Sequence, residues 1–186
     1  MCEDTVKPYY ISYFVCIYIS MTYRTFELLK YNIFRFMSLY VRDVMSRQVC
    51  TIAEDDLFKG IIDTLVTNGI SGAPVVNSKG DLVGILSEKD LLRRLFPDEL
   101  EFYQNIECYL TNYGLIAAES KKVFGLTAKD MMRTKVFTID PDKHIMVAVS
   151  IMCANKIRRL PVLVDHKLAG IVSTKDVYRN FLQLMA

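Results

Sequence analysis

The residues with the clearest chemical potential form a short pattern that occurs twice. Glycine, serine and aspartate recur at the spacing Gly-x-x-Ser-x-x-Asp, first from Gly84 to Asp90 and again from Gly170 to Asp176. If each serine begins a helix, free backbone N–H groups and the positive end of the helix dipole lie beside its hydroxyl. The aspartate one turn later can accept hydrogen bonds from the vicinal hydroxyls of a ribose. The pattern therefore indicates a site for a nucleotide-like ligand.

The same pattern has a second interpretation. Ser-x-x-Asp before an apolar run also resembles a capping box, in which the two side chains satisfy backbone groups at the start of a helix. A single copy favours capping, because capping boxes are common. A second copy at the equivalent place in a repeat adds weight to ligand binding, and both interpretations stay open.

A longer internal repeat surrounds both copies of the pattern. The segment that begins at Val41 aligns with the one that begins at Ala128. Identical residues then follow in the same order, with one deletion in a turn: Thr51 and Thr138, Pro74 and Pro161, Gly84 and Gly170, Asp90 and Asp176. Chance similarity between two apolar stretches would not keep this register, so the chain contains a duplicated unit.

Each copy predicts the element order β-α-β-β-α. Strand composition covers 49–52, 73–77 and 81–86 in the first copy and 136–139, 160–164 and 168–172 in the second, with apolar residues at helical spacing between and after these strands. One unit of this size is too small for a good core. We therefore expect an α/β (α+β) fold in which two pseudo-symmetric units pack sheet to sheet, with a cleft between them.

The chain divides into four predicted parts. Residues 1–40 form an N-terminal extension, 41–96 the first repeat, 97–127 a helical linker insertion and 128–186 the second repeat. Apolar residues between Phe26 and Tyr40 follow helical spacing and predict a docking helix. The alternative, which stays open, is that the native chain starts at Met21 or Met37 and that the earlier residues are upstream sequence.

Composition narrows the class of protein. Hydrophobic residues make up 52% of the chain and charged residues 24%, as in folded globular proteins, and the net charge of +2 does not indicate a nucleic-acid partner. The apolar run 9–19 is too short for a membrane span and lacks the features of a signal peptide. The five cysteines are far apart and suit a reduced, cytoplasmic setting without a metal site.

Other polar residues do not indicate catalysis. The clusters 54–56 and 140–142 are acidic, but both precede predicted helices, so we predict helix capping rather than general acid–base chemistry. His144 lies near a helix start without a Ser or Cys nucleophile motif. The sequence contains no Walker loop and no nucleophile elbow.

The ordered duplication resembles a known family. Val-Met or Met-Met at the start of each unit, Thr-Ile on the first strand, Gly-Ala-Pro-Val-Val or Arg-Leu-Pro-Val on the second, and Gly-Ile-x-Ser-x-x-Asp on the third are similar to a tandem CBS-domain pair, also called a Bateman module. Each motif is weak alone, whereas their order and duplication are specific. The resemblance covers Val41 to about Leu184.

In that family, adenosine nucleotides bind between the two repeats, and each site takes residues from both. By position, the resemblance implies a first site, here named the Asp176 cleft, with Asp176 for the ribose, Ser173 and Lys175 near phosphate, and Thr51, Ile52, Ile70, Ser71 and Gly72 facing them. It implies a second site, the Asp90 cleft, with Asp90 for the ribose, Ser87 and Lys89 nearby, and Thr138, Ile139, Ile157 and Arg158 across the cleft.

Two adjacent arginines make the predicted sites unequal. Arg158 and Arg159 take the positions of a Ser-Gly pair in the first repeat, and guanidinium groups suit phosphate oxygens. The alternative is a surface ion pair with a carboxylate such as Asp140 or Asp165.

The resemblance predicts a regulatory ligand-sensing module that is not an enzyme and needs no cofactor. It would bind AMP, ADP, ATP or S-adenosylmethionine and relay binding to a homodimer or to an unidentified partner protein. The main alternative is a ligand-free structural or protein-interaction pair whose Ser-x-x-Asp motifs only cap helices. A third possibility, an enzyme completed by the linker and the N-terminal segment, lacks any acid–base or nucleophile constellation.

Overall fold

The computed structural model describes residues 27–96, 107, 121 and 123–185. Helix α1 covers 27–37. The first repeat contains α2 (Val41–Val44), β1 (Ile52–Ala53), α3 (Phe58–Thr67), β2 (Gly72–Val76), β3 (Leu82–Ser87) and α4 (Glu88–Leu95). The second contains α5 (Ala128–Met131), α6 (Ile145–Ala154), β4 (Arg159–Val164), β5 (Lys167–Ser173) and α7 (Thr174–Met185). The predicted helical linker lies mostly outside the described residues.

The two repeats form separate small sheets. In the first, β1 pairs parallel with β2, and β2 pairs antiparallel with β3. In the second, β4 and β5 form an antiparallel pair. Mixed helix and strand with this duplicated order confirms the predicted fold class.

The strand predicted at 136–139 is wrong. Ile139 forms only an isolated parallel bridge with Val162. In the first repeat the ladder continues through Glu54, whose N–H donates to the carbonyl of Val76 at 2.9 Å. The equivalent residue of the second repeat is Pro141, which has no N–H, so the ladder stops after one residue.

The short helices α2 and α5 are exchanged between the two hydrophobic cores. Ala128 and Met131 of α5 pack in the core of the first repeat, with β1, β2 and α3. Val41 and Val44 of α2 pack in the core of the second repeat, with α6, β4 and β5. Each repeat therefore completes its core with a helix from the other.

The acidic clusters do not cap the helices that follow them, so this prediction is wrong. Helix α3 begins after Leu57 and α6 after His144, and neither has a side-chain cap. Asp56 instead accepts the N–H of Ala53 at 2.9 Å, and Asp140 accepts that of Asp142 at 2.7 Å. These bonds close local turns because short acidic side chains compete well for nearby backbone N–H groups.

The turns formed by the acidic clusters hold the exchanged helices. The N–H groups of Ala128 and Lys129 donate to the carbonyls of Asp56 and Glu54, both at 2.9 Å. In the other repeat, the N–H groups at the start of α2 donate to the carbonyls of Lys143, at 2.9 Å, and Pro141, at 3.0 Å. The first N–H groups of a helix have no partner within that helix, and here carbonyl oxygens of the opposite repeat accept them.

Helix α1 contacts the second repeat at its C-terminal end. Phe36 is buried and packs edge-on against Phe181 of α7, with ring centroids 5.2 Å apart. Three other residues of the predicted apolar stripe, Leu29, Ile33 and Met37, are exposed. None of the described helices is both long and apolar enough to cross a bilayer.

Candidate functional site

Both serines of the repeated pattern stand where a strand becomes a helix. Ser87 ends β3 and is the N-cap of α4, and Ser173 ends β5 before α7. The N–H of Ser87 donates to Oδ2 of Asp90 at 3.0 Å, and that of Ser173 donates to Oδ2 of Asp176 at 2.9 Å. Each serine hydroxyl also donates to the same Oδ2. The capping interpretation is therefore correct locally, and it uses one carboxylate oxygen in each copy.

Two crossing segments bring the repeats together at these helix starts. After α2, Ser46 pairs with Ile171 of β5, and the chain then runs through Thr51 into β1 of the first repeat. After α5, Arg133 pairs with Ile85 of β3, and the chain runs through Thr138 to the bridge at Ile139. Segment 46–51 therefore passes the Asp176 pattern, and segment 133–138 passes the Asp90 pattern.

The Asp176 cleft combines polar groups of both repeats. Arg159 lies directly opposite Ser173 in the β4–β5 ladder, so their side chains share a face of the sheet. The guanidinium of Arg159 donates to the hydroxyl of Ser71 in the first repeat. Arg159, Ser71 and Ser173 are thus adjacent, and Asp176 is hydrogen-bonded to Ser173.

Arg159 is a partly buried cation that forms no ion pair with any described residue. Burial lowers the pKa of its guanidinium, while the charge of Glu88 raises it. Within the described ranges no carboxylate forms an ion pair with it, so the alternative of a surface pair with Asp140 or Asp165 is wrong. A partly desolvated guanidinium is stabilised by an anion, and phosphate oxygens match its geometry.

The Asp90 cleft is arranged differently. Asp90 is only 8% exposed and is a buried charged residue. Its Oδ1 accepts the Nε–H of Arg133 at 2.8 Å and lies 2.8 Å from Nη2 of the same side chain. Gly72, which the resemblance placed in the Asp176 cleft, instead lies opposite Ser87 in the β2–β3 ladder. A Cβ at Gly72 would come within 2.7 Å of the Leu86 carbonyl oxygen, so glycine is needed there for strand packing.

Arg133 is a residue that sequence reasoning missed. The repeat alignment places it at the position of Ser46, and this change from a short hydroxyl to a long cation was the available signal. Its partner, however, is 43 residues away and is identified only by the fold.

The remaining predicted residues differ in exposure. Ile52 and Ile139 are buried in the two cores, so only their backbone groups can face a ligand. Ile70 and Ile157 are partly buried against the same cores. The exposed members of the set are Thr51, Lys89, Thr138, Arg158 and Lys175.

A cavity of about 390 Å³ opens between the repeats beside the Asp90 cleft. Its lining includes Thr138, which was predicted as a site residue, together with Asp81, Thr134 and His166. Neither Ser87 nor Asp90 lines it. Among the described residues, no three His, Cys, Asp or Glu side chains group as metal ligands.

Comparison with known structures supports this architecture. The CBS domain of a CBS-domain-containing membrane protein from Sphaerobacter thermophilus superimposes with a TM-score of 0.64 at 26% identity, covering 87% of this chain and 96% of that one. CBSX2 in complex with AMP gives 0.60 at 23% identity, covering 80% and 100%. The CBS domain pair of MJ0100, in complex with 5-methylthioadenosine and S-adenosyl-L-methionine, gives 0.57 at 22%, covering 78% and 97%.

Sequence relatives and a family model agree. The uncharacterized protein MJ1426 of Methanocaldococcus jannaschii is 30% identical over 150 residues, 75% of this chain and 89% of that protein. MJ1225 of the same organism is 29% identical over 136 residues, 73% of this chain, and the match spans only 40% of MJ1225. The CBS domain model matches twice, at residues 41–97 and 128–183. The chain therefore belongs to the CBS-domain family and carries two copies of that domain.

Proposed function

We propose that this chain is a non-catalytic regulatory module that binds an adenosine-containing nucleotide between its two CBS domains. The observation that carries the proposal is the Asp176 cleft. There a helix start, a carboxylate with one open oxygen and a guanidinium that forms no ion pair with the described residues belong to one group of adjacent residues. The carboxylate suits ribose hydroxyls, whereas the helix start and the guanidinium suit phosphate oxygens.

The ligand class is supported by proteins of the same fold. CBSX2 has been solved with AMP, and the domain pair of MJ0100 with 5-methylthioadenosine and S-adenosyl-L-methionine. All three ligands carry an adenosine moiety, whereas only AMP carries a phosphate. Because Arg159 is a cation in need of an anion, we expect AMP, ADP or ATP to bind more tightly than a ligand without phosphate.

The same proposal includes the effect of ligand binding on a dimer or a partner protein. A ligand shifts the equilibrium between two arrangements only by its difference in affinity for them. Helices α6 and α7 expose apolar side chains, among them Met146, Val147, Tyr178 and Leu182. We propose that this surface holds a homodimer or a regulated protein in a cytoplasmic setting. A monomer at every concentration in analytical ultracentrifugation would contradict the homodimer.

A thermal unfolding experiment tests the proposed function. The purified chain is heated with and without AMP, ADP, ATP and S-adenosylmethionine. At a ligand concentration about one hundred times its dissociation constant, we expect stabilisation of ~2.7 kcal/mol and a higher unfolding midpoint. The Asp176→Ala variant should lose this shift because the ribose hydroxyls lose their acceptor.

Asp63→Ala is the matched control, since Asp63 is an exposed carboxylate on α3. It should keep the full shift. If none of the four compounds raises the midpoint of the unchanged protein, the nucleotide proposal fails.

The second candidate function is a ligand-free interaction module. It is favoured by the complete capping bonds at both helix starts, which give Ser87, Asp90, Ser173 and Asp176 a structural role without any ligand. In the unfolding experiment it predicts equal midpoints with and without nucleotide.

A further inference from the structure

The two Ser-x-x-Asp patterns are alike in sequence but differ in how many acceptor positions remain open. A carboxylate has two oxygens with about four lone-pair positions. In Asp90, Oδ2 accepts the N–H and the hydroxyl of Ser87, and Oδ1 faces Nε and Nη2 of Arg133. Both oxygens are therefore engaged, and the vicinal hydroxyls of a ribose have to compete with Arg133 for Oδ1.

Asp176 keeps one oxygen open. Its Oδ2 accepts the N–H and the hydroxyl of Ser173, as in the other repeat. Within the described part of the chain, its Oδ1 accepts no hydrogen bond and forms no ion pair. Asp176 is also only partly buried, so a ligand can reach this oxygen.

The difference arises from one position of the repeat. Ser46 pairs through its backbone with Ile171, and Arg133 pairs in the same way with Ile85. Both residues therefore leave their short helix at the same place and pass equivalent strands, β5 for Ser46 and β3 for Arg133. Arg133 is long enough to reach the aspartate of the helix beside it, whereas the side chain of Ser46 is too short to do so.

Energetics favour Arg133 over a ribose at Asp90. The side chain of Asp90 is 9% exposed, so its charge depends on partners within the protein. Hydrogen bonds from a guanidinium to a carboxylate are stronger than those from neutral hydroxyls. A ribose would have to displace a cation that is already in position and leave the buried charge with weaker bonds.

The opposite strand strengthens the asymmetry. Arg159 lies across from Ser173 in the Asp176 cleft, whereas Gly72 lies across from Ser87 in the Asp90 cleft. The backbone of Arg159 thus lies on the Asp176 side, and its guanidinium reaches Ser71, whose carbonyl accepts the N–H of Glu88 at the start of α4.

We infer that Arg133 acts as an internal occupant of the Asp90 cleft, so that each chain binds a single adenosine nucleotide, in the Asp176 cleft. Arg133 is then the residue that decides which of the two clefts accepts a ligand. This inference rests on the proposed function, because it assigns the stoichiometry and the location of the same binding event.

Calorimetric titration with AMP tests the inference through exchange of the two equivalent residues. The unchanged chain should bind one AMP per chain. Arg133→Ser gives the Asp90 cleft the residue of the other repeat and should add a second binding site. Ser46→Arg should weaken binding in the Asp176 cleft at least about tenfold, because the new guanidinium competes for Oδ1 of Asp176.

Three further variants complete the design. In the double variant Ser46→Arg with Arg133→Ser, the chain should still bind one AMP, now in the Asp90 cleft. Adding Asp176→Ala to this double variant should therefore no longer reduce binding. Arg93→Ser removes an exposed arginine of α4 and should leave the titration unchanged. Ser46→Arg keeps the Asp90–Arg133 pair, so the inference stays testable even if Arg133→Ser does not fold.

The outcomes separate the inference from the proposed function. Two equal sites in the unchanged chain would overturn the inference and leave nucleotide binding intact. A stoichiometry of one that Arg133→Ser leaves unchanged, together with an affinity that Ser46→Arg leaves unchanged, would do the same. Absence of AMP binding in both the unchanged chain and Arg133→Ser would overturn both.

Discussion

At the scale of single residues, the structure shows how capping carboxylates support the exchanged helices. Asp130 caps α5 by accepting the N–H and the hydroxyl of Thr127, at 2.8 and 2.7 Å. The hydrogen bond from the Thr127 N–H lowers the pKa of Asp130 below its usual value, and the bond from the Thr127 hydroxyl adds to this effect. The ionised form of Asp130 is therefore favoured by folding.

Acid unfolding tests this role of Asp130. A carboxyl whose pKa is lowered in the folded state contributes stability above its unfolded pKa and loses it as the pH falls through the folded value. We expect the unfolding midpoint to be steady above about pH 5 and to fall below about pH 4. Asp130→Asn should make this fall shallower, and Asp63→Asn should not. Equal acid slopes in all three proteins would contradict the assignment.

The residue scale also shows what the sequence could predict about the site. Ser-x-x-Asp predicted the helix starts and the bonds within each pattern because these are local. The hydrogen bonding of Asp90 depends on Arg133, which lies 43 residues later in the sequence. The placement of Arg159 beside Ser71 depends in the same way on packing between the repeats.

At the scale of elements, the exchange of α2 and α5 makes each core depend on both repeats. Met131 of α5 is 4% exposed in the core of the first repeat. Met131→Ala should lower the free energy of unfolding by about 2–5 kcal/mol, because it leaves a cavity in that core. Denaturant unfolding at a fixed temperature measures the change.

Met37→Ala is the comparison for this prediction, since Met37 is 50% exposed on α1. It should change the free energy of unfolding by no more than about 0.5 kcal/mol. Equal losses for the two variants would show that α5 does not carry the packing described.

The sequence predicted β2, β3, β4 and β5 within a residue or two, because strand composition is local, whereas the strand expected at 49–52 overlaps β1 only at Ile52. It could not predict the exchange, since α2 and α5 were assigned to the repeat that follows each of them in the chain. Their positions depend on bonds to carbonyls of distant turns, such as that of Asp56 to the N–H of Ala128. The division at 41–96 and 128–186 stays a prediction about sequence units, whereas the cores cross it.

At the scale of the whole molecule, the duplication produces two equivalent clefts that contain different side chains. Ion pairs and hydrogen bonds link the repeats on several sides, including Arg42 with Asp142 in the second repeat and Lys167 with Asp81 in the first. Ligand binding in one cleft would therefore act on an arrangement that both repeats hold in place. Such coupling requires that the ligand bind one arrangement better than another.

A crystal structure of the chain with AMP tests the central claim most directly. We predict nucleotide in the Asp176 cleft, with a ribose hydroxyl donating to Oδ1 of Asp176, phosphate near Arg159, and the Arg133–Asp90 pair intact. AMP located only beside Asp90, or at a place away from both clefts, would contradict the account.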